Sequence, residues 1–194
     1  MLEAGYAANT EFHYLHHQRG GKTYDNIAEL SQRVVAASDQ TGMGLCLLPV
    51  HYQFGGCDQR GLSAGQIRFG NTFEQFQTLH DAAAAHIKQA SADSAIGVAP
   101  HSLRAVSPES LTEISNLRPD GPVHIHAAEQ VGEVDEVISA YGARPVEYLL
   151  SNYDIDARWC FIHATQMTEA ETLGLAKSGA VAGLCPITEA NLGD

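Results

Sequence analysis

Short apolar runs recur along the chain at 44–51, 95–101, 122–127, 158–163 and 180–185, and a further one is expected within 4–13. Their length and polar boundaries predict buried strands. The stretches between them carry apolar residues three and four apart, the spacing of an amphipathic helix. Asp25 to Ser38 aligns Ile27, Leu30, Val34 and Val35, and 71–90 aligns Phe73, Phe76, Leu79 and Ala83. Ser107-Pro108 is an N-cap and first-turn pair ahead of Leu111 and Ile114. Val131, Val134 and Ile138 mark a helix stopped by Gly142, and Thr168 with Glu171 forms a capping box ahead of Leu173, Ala176 and the terminator Gly179.

One buried strand alternating with one amphipathic helix predicts parallel βαβ units. A closed barrel and an open doubly wound sheet both satisfy that pattern. His51, His101, His126 and His163 fall at the C-terminal ends of four predicted strands, where barrel enzymes place their chemistry, and no glycine-rich phosphate loop is present. These features favour an α/β (β/α)8 TIM barrel. Six strands fall short of eight, so the expectation is a partial barrel of about strands 2–7, a single domain over 1–194 lacking the first and last strands. Met1 to Gly5 reads as a helix end, and Asn191 to Asp194 as a loop following a strand.

Composition narrows the function classes. At 194 residues and 44% hydrophobic the chain can bury a core, and a net charge of -12 with no basic cluster argues against nucleic acid. No run is long and apolar enough for a membrane span, and no leader pattern precedes the first strand, so the expected location is the cytoplasm. The four cysteines are widely spaced and read as reduced, mostly buried thiols. Ten histidines are more numerous and more clustered than composition explains.

The sharpest local signal is His124-Ile125-His126-Ala127-Ala128-Glu129. Alternation along a strand points His124 and His126 the same way, where imidazole can ligate a divalent metal, with Glu129 beyond them as an acid–base. Two satisfied interior histidines are the plainer account. His163 ends the next strand and can face the same space. His101 and Arg104 end the preceding one, suited to a carboxylate because guanidinium grips both its oxygens; a surface ion pair is the alternative for Arg104. His13, His16 and His17 form either a metal cluster or a strand end running into a loop. No GxSxG elbow occurs, no cysteine has an activating histidine beside it, and the nucleobase deaminase signature H-x-E with P-C-x-x-C is absent.

Four separated segments, Glu11 to His17, Gly97 to Val106, His124 to Gln130 and Gly183 to Asp194, together resemble the formimidoylglutamate deiminases of the amidohydrolase superfamily. The resemblance implies one zinc in a (β/α)8 barrel, a zinc-borne hydroxide attacking the formimino carbon of N-formimino-L-glutamate, and release of ammonia in histidine degradation. It implies His126 as zinc ligand, Glu129 as proton carrier, His163 as the residue that orients or polarises water, and Tyr14, His101 and Arg104 as holders of the substrate carboxylates. The family's first-strand H-x-H pair and eighth-strand aspartate have no counterpart in these residues, so the chain alone is expected to be inactive. Gln166 stands where a histidine is expected. The partners implied are a small-molecule substrate, no nucleic acid and no membrane; a homodimer is compatible. Two other readings stay open: another amidohydrolase deaminase acting on an aromatic or nucleoside-like substrate, and a shortened, non-catalytic paralogue serving as a binding module.

Overall fold

The computed structural model describes residues 1–193. Seven strands alternate with seven helices: β1 (Ala8–His13), α1 (Glu29–Thr41), β2 (Gly44–His51), α2 (Phe73–Ile87), β3 (Ser94–Ile96), β4 (Ala99–Pro100), α3 (Pro108–Ser115), β5 (Val123–Ala127), α4 (Val131–Tyr141), α5 (Pro145–Asn152), β6 (Trp159–His163), α6 (Glu169–Ser178), β7 (Val181–Gly183) and α7 (Pro186–Leu192). A 3-10 turn at Leu2–Ala4 ends on the left-handed Gly5, as its sequence predicts.

All pairings are parallel: β1 with β2, β2 with both β3 and β4, β5 with β6, and β6 with β7. β3 and β4 are one strand with a local break. Ile96 lies opposite Leu47 and Ala99 opposite Val50, so the register against β2 runs unbroken. Between them the Val98 N–H turns away to Pro122 O at 2.9 Å, and Val98 bridges Val123. This switch joins β1–β2–β3/β4 to β5–β6–β7 as one arc of a parallel barrel, the six-strand partial barrel that the apolar runs predict.

Gly97 makes the junction possible. A Cβ there would sit 2.3 Å from Pro122 O and 2.8 Å from Leu48 Cδ2, too close for backbone to yield cheaply. Gly97→Ala is therefore expected to lower stability by about 1–3 kcal/mol, read as a shifted urea midpoint; an unchanged midpoint would show that β2 and β5 can part without cost.

The outer face of the arc packs on the helices. Leu45 and Leu47 meet Val35, Ala83 and Ile87, while Val123, Ile125, Trp159 and Phe161 meet Val134, Val137 and Leu149. The capping boxes at Thr72–Gln75 and Thr168–Glu171 and the Ser107 cap are present as their sequences require.

Several local expectations are corrected. α1 starts at Glu29 and buries Ser31, Val35 and Ser38; of the expected line Ile27, Leu30, Val34 and Val35, Val35 is buried, Val34 packs half-buried on the same core, and Ile27 lies ahead of the helix. In α6 Leu173 is 53% exposed, and Glu171 and Leu175 are buried instead. In α4 Val131 and Ile138 are exposed, leaving Val134 and Val137 inside. α5 was not foreseen. Of the segment read as a terminal loop, Asn191 and Leu192 end α7, which Pro186 begins and Gly193 caps; Asp194 lies outside the described residues. All four cysteines are free, but only Cys57 and Cys160 are buried.

Candidate active site

The inner face of the arc and the loops at the C-terminal strand ends enclose a cavity of about 730 Å³. Tyr14, His101, Arg104, His126, Glu129 and His163 all line it. The structure thus brings together these six residues and His124, all singled out from sequence, and adds Tyr52 and Cys185 to the wall.

Strand parity explains most of the placement. In β5, Val123, Ile125 and Ala127 are buried against the helices, so His124 and His126 face the cavity. Phe12 and Tyr14 face it from β1, which sends His13 outward. His51 follows Leu45 and Leu47 to the helix layer, where its ring centroid lies 4.9 Å from that of Phe76. Its position at a strand end suggested a place in the cavity; its parity denies it one.

His163 and Glu129 reach the cavity by breaking parity. Trp159 and Phe161 point outward, and continued alternation would send His163 with them. Instead His163 and Ala164 adopt φ of 73° and 53°, the left-handed region that costs a residue with a Cβ about 1–3 kcal/mol. Ala128, at φ 54°, turns the chain in the same way before Glu129. Thr165 Oγ1 ties the two loops by donating to Glu129 O at 2.7 Å and Ala128 O at 3.1 Å. Gln166 lies beyond this tie, where its N–H donates to Ala128 O at 2.8 Å.

The side chains form a connected set. His126 Nδ1 lies 3.0 Å from His101 O, so it carries the proton and donates, leaving Nε2 as a lone pair facing the cavity. Tyr14 Oη lies 3.4 Å from that Nε2. Burial, with smaller help from the neighbouring His163 and Arg104 and against the hydrogen bond to His101 O, lowers the pKa of His126 to about 4, so it is neutral near pH 7. Burial also lowers His101, which stacks on His126 with ring centroids 4.8 Å apart. His163 Nε2 lies 3.3 Å from Glu129 Oε1, and its Nδ1 lies 3.1 Å from Glu189 Oε1.

Arg104 is less free than a bare substrate clamp. Its Nη2 lies 3.7 Å from both Glu129 Oε2 and Glu133 Oε2, and it is neither a surface ion pair nor unpartnered. Glu133 was missed in the sequence because it sits on the first turn of α4, outside any motif. Its buried carboxylate accepts from Ala128 N at 3.1 Å and Glu129 N at 2.9 Å, fixing the loop that carries Glu129. Burial pushes its pKa up, and Arg104 opposes that rise.

The proposed metal ligand passes a test of fit. A ligating imidazole needs one nitrogen free and the other tied by an outer hydrogen bond, the arrangement His126 shows. The three histidines near the N-terminus do not line the cavity: His16 and His17 are buried apart from it, with Nε2 donating to Val50 O at 2.8 Å and to Gly70 O at 2.9 Å, and His13 faces away. Among the described residues, His163, Cys185 and Glu189 also bring donor atoms within 4.8 Å of one another.

Comparison with known proteins gives a consistent picture. The chain is 46% identical, over its full length, to formimidoylglutamate deiminase of Pseudomonas aeruginosa, and spans 43% of that protein. It superposes on an amidohydrolase from Brucella melitensis with a TM-score of 0.97 and 51% identity, covering 100% of this chain and 43% of the other. Atrazine chlorohydrolase from Arthrobacter aurescens, complexed with zinc, shares the fold alone: TM-score 0.74 at 16% identity, over 96% of this chain and 39% of the other. No family model matches. The chain therefore spans less than half the length of these relatives.

Proposed function

Because the chain belongs to the amidohydrolase superfamily, we propose that it carries the middle strands of a zinc-dependent hydrolase that converts N-formimino-L-glutamate to N-formyl-L-glutamate and ammonia, a step of histidine degradation in the cytoplasm. The observation that carries the reading is the convergence of His126, Glu129, His163 and Arg104 on one cavity from three consecutive barrel strands. Residues 1–194 act as one domain in this reading.

His126 Nε2 would hold the zinc, together with ligands that these residues do not supply. A zinc so bound lowers the pKa of water from about 15.7 towards 7 and makes a nucleophile available at neutral pH. Glu129 takes a proton from the attacking water as its oxygen bonds to the formimino carbon, and passes a proton to the nitrogen as the C–N bond breaks. Ammonia leaves. His163, 3.3 Å from Glu129 Oε1, polarises the water and steadies the carboxylate through that exchange. The guanidinium of Arg104 and the hydroxyl of Tyr14 bind the substrate carboxylates. His101 lies against Tyr52 and His126 and presents a neutral ring, so its contribution is a neutral hydrogen bond.

A chimera tests this reading: residues 1–194 replace the matching segment of the Pseudomonas relative, so that whatever the segment lacks is supplied. The expected result is ammonia release from N-formimino-L-glutamate in the zinc-loaded chimera. Arg104→Ala should then raise KM for this dicarboxylate about 10- to 100-fold, the loss of a charge-assisted contact of roughly 1.5–3 kcal/mol, with little change for a neutral heterocycle. A folded, zinc-bound chimera that ignores N-formimino-L-glutamate but deaminates an aromatic or nucleoside-like compound would replace the proposed substrate. One that binds zinc and turns over neither leaves the binding-module reading.

A further inference from the structure

We infer that Glu189 is a positioning residue for His163: it accepts the Nδ1–H bond, selects that tautomer, and so aims Nε2 at Glu129 and the cavity. The inference deepens the hydrolase reading, on which the role of His163 rests.

His163 sits on a left-handed residue that has left the strand ladder, so strand geometry no longer fixes where its ring points. Something else must hold it. Glu189 Oε1 lies 3.1 Å from Nδ1 and also accepts from Cys185 N at 2.7 Å. The second bond anchors the carboxylate to the start of α7, so Glu189 is itself fixed when it receives His163. The contact to Glu189 has hydrogen-bond geometry and a carboxylate can only accept, so Nδ1 carries the proton, whereas the contact of Nε2 with Glu129 Oε1, a second acceptor, lacks that geometry. That leaves Nε2 to meet Glu129 Oε1 at 3.3 Å. The line Glu189–His163–Glu129 therefore runs from a backbone anchor to the proposed proton carrier. Its logic is that of a base held by a third group, where the outer partner sets tautomer and orientation without touching substrate. The hydrogen bonds to Cys185 N and His163 Nδ1 also account for the closeness of the Cys185, Glu189 and His163 donor atoms, without any ion among them.

Nothing in a hydrophobic pattern announces this pair. Glu189 is 26 residues from His163, on a short helix whose carboxylate would otherwise read as a self-cap. The self-cap is the competing explanation, and it makes a different prediction: a cap stabilises α7 but leaves the imidazole indifferent to its loss.

The test is 15N NMR of the His163 ring in the 194-residue protein. It needs no turnover. The expected result is a ring protonated almost wholly on Nδ1. Glu189→Ala should turn this into a majority of the Nε2–H form. Glu189→Gln, whose carbonyl oxygen can still accept both bonds, should restore the Nδ1–H form. A wild-type ring protonated mainly on Nε2 overturns the inference, whether or not Glu189→Ala folds. So does a tautomer ratio unmoved by Glu189→Ala, which would leave only the cap. In the active chimera, Glu189→Ala should lower kcat about 10- to 100-fold with KM little changed, and Glu189→Gln should recover most of it. If the NMR result holds while the chimera is inert on N-formimino-L-glutamate, the positioning stands and the substrate assignment falls.

Discussion

Glu129→Gln in the zinc-loaded chimera is expected to cut ammonia release about 10²- to 10⁴-fold, the usual worth of a positioned acid–base, while leaving zinc content and fold unchanged. The amide keeps the volume of the carboxylate and can still meet Arg104 and His163, but it cannot take a proton from water and return it to nitrogen. Glu129 lies on a loop held by Glu133 and by Thr165, so the substitution should not loosen its surroundings. The measurement is steady-state release of ammonia with zinc determined on the same samples. A loss below about tenfold at full zinc occupancy would remove Glu129 from the proton path. His163, 3.3 Å away, would be the next group to examine.

Acidification is expected to unfold the chain well before its carboxylates titrate. His13, His16 and His51 are buried, and burial is the first cause that lowers them from 6.5 to about 4, about 3 and about 3. His13 Nε2, His16 Nδ1 and both ring nitrogens of His51 have no hydrogen-bond partner, so a charged ring would be unsatisfied as well as desolvated. The sign follows from which state binds protons first. The unfolded chain takes them up near pH 6.5 and the folded chain only near 3–4, so stability is complete above about 6.5 and is lost as pH falls through that window. Each group contributes about 1.4 kcal/mol per pH unit. Over the first two units the three together reach roughly 8 kcal/mol, comparable with the whole stability of an ordinary domain, about 5–15 kcal/mol. Far-UV circular dichroism against pH should show a cooperative transition between about pH 4 and 6. His51→Leu, which removes a ring packed on Phe76 but never needs a proton, should move the midpoint downward. A wild-type chain that keeps its signal below about pH 3 would show that these rings are protonated in place.

Much of this arrangement is legible in the residues alone, for a specific reason. Buried strands announce themselves by composition, and chemistry placed at their C-terminal ends can be counted, so the six strands and the positions of His101, His126 and His163 follow from 44–51 through 180–185. Capping boxes are local too, which is why Ser107 and Thr168 mark their helices correctly. What escapes is everything decided by direction. His51 and His163 look alike as strand-end histidines, yet one faces the helices and the other the cavity because only His163 has a left-handed backbone. The face of α6 is set by which strand the helix covers, and that selects Leu175 over Leu173. Glu133 reaches Arg104 and Glu189 reaches His163 across the fold, pairs that no spacing connects. α5 and α7 are short and begin at prolines, which on their own read equally well as loop.

The order of strands in the arc bears on how the chain acquires its shape. Because every strand lies beside the one before it in sequence, each newly made strand finds its partner already present, and no pairing has to wait for a distant segment. The entropy of closing loops rises only with the length of one or two intervening helices at a time. Assembly can thus proceed from β1 towards β7 in step with synthesis, and the residues of the cavity come together late, when His163 and Glu189 at the far end of the arc meet the loop after β5.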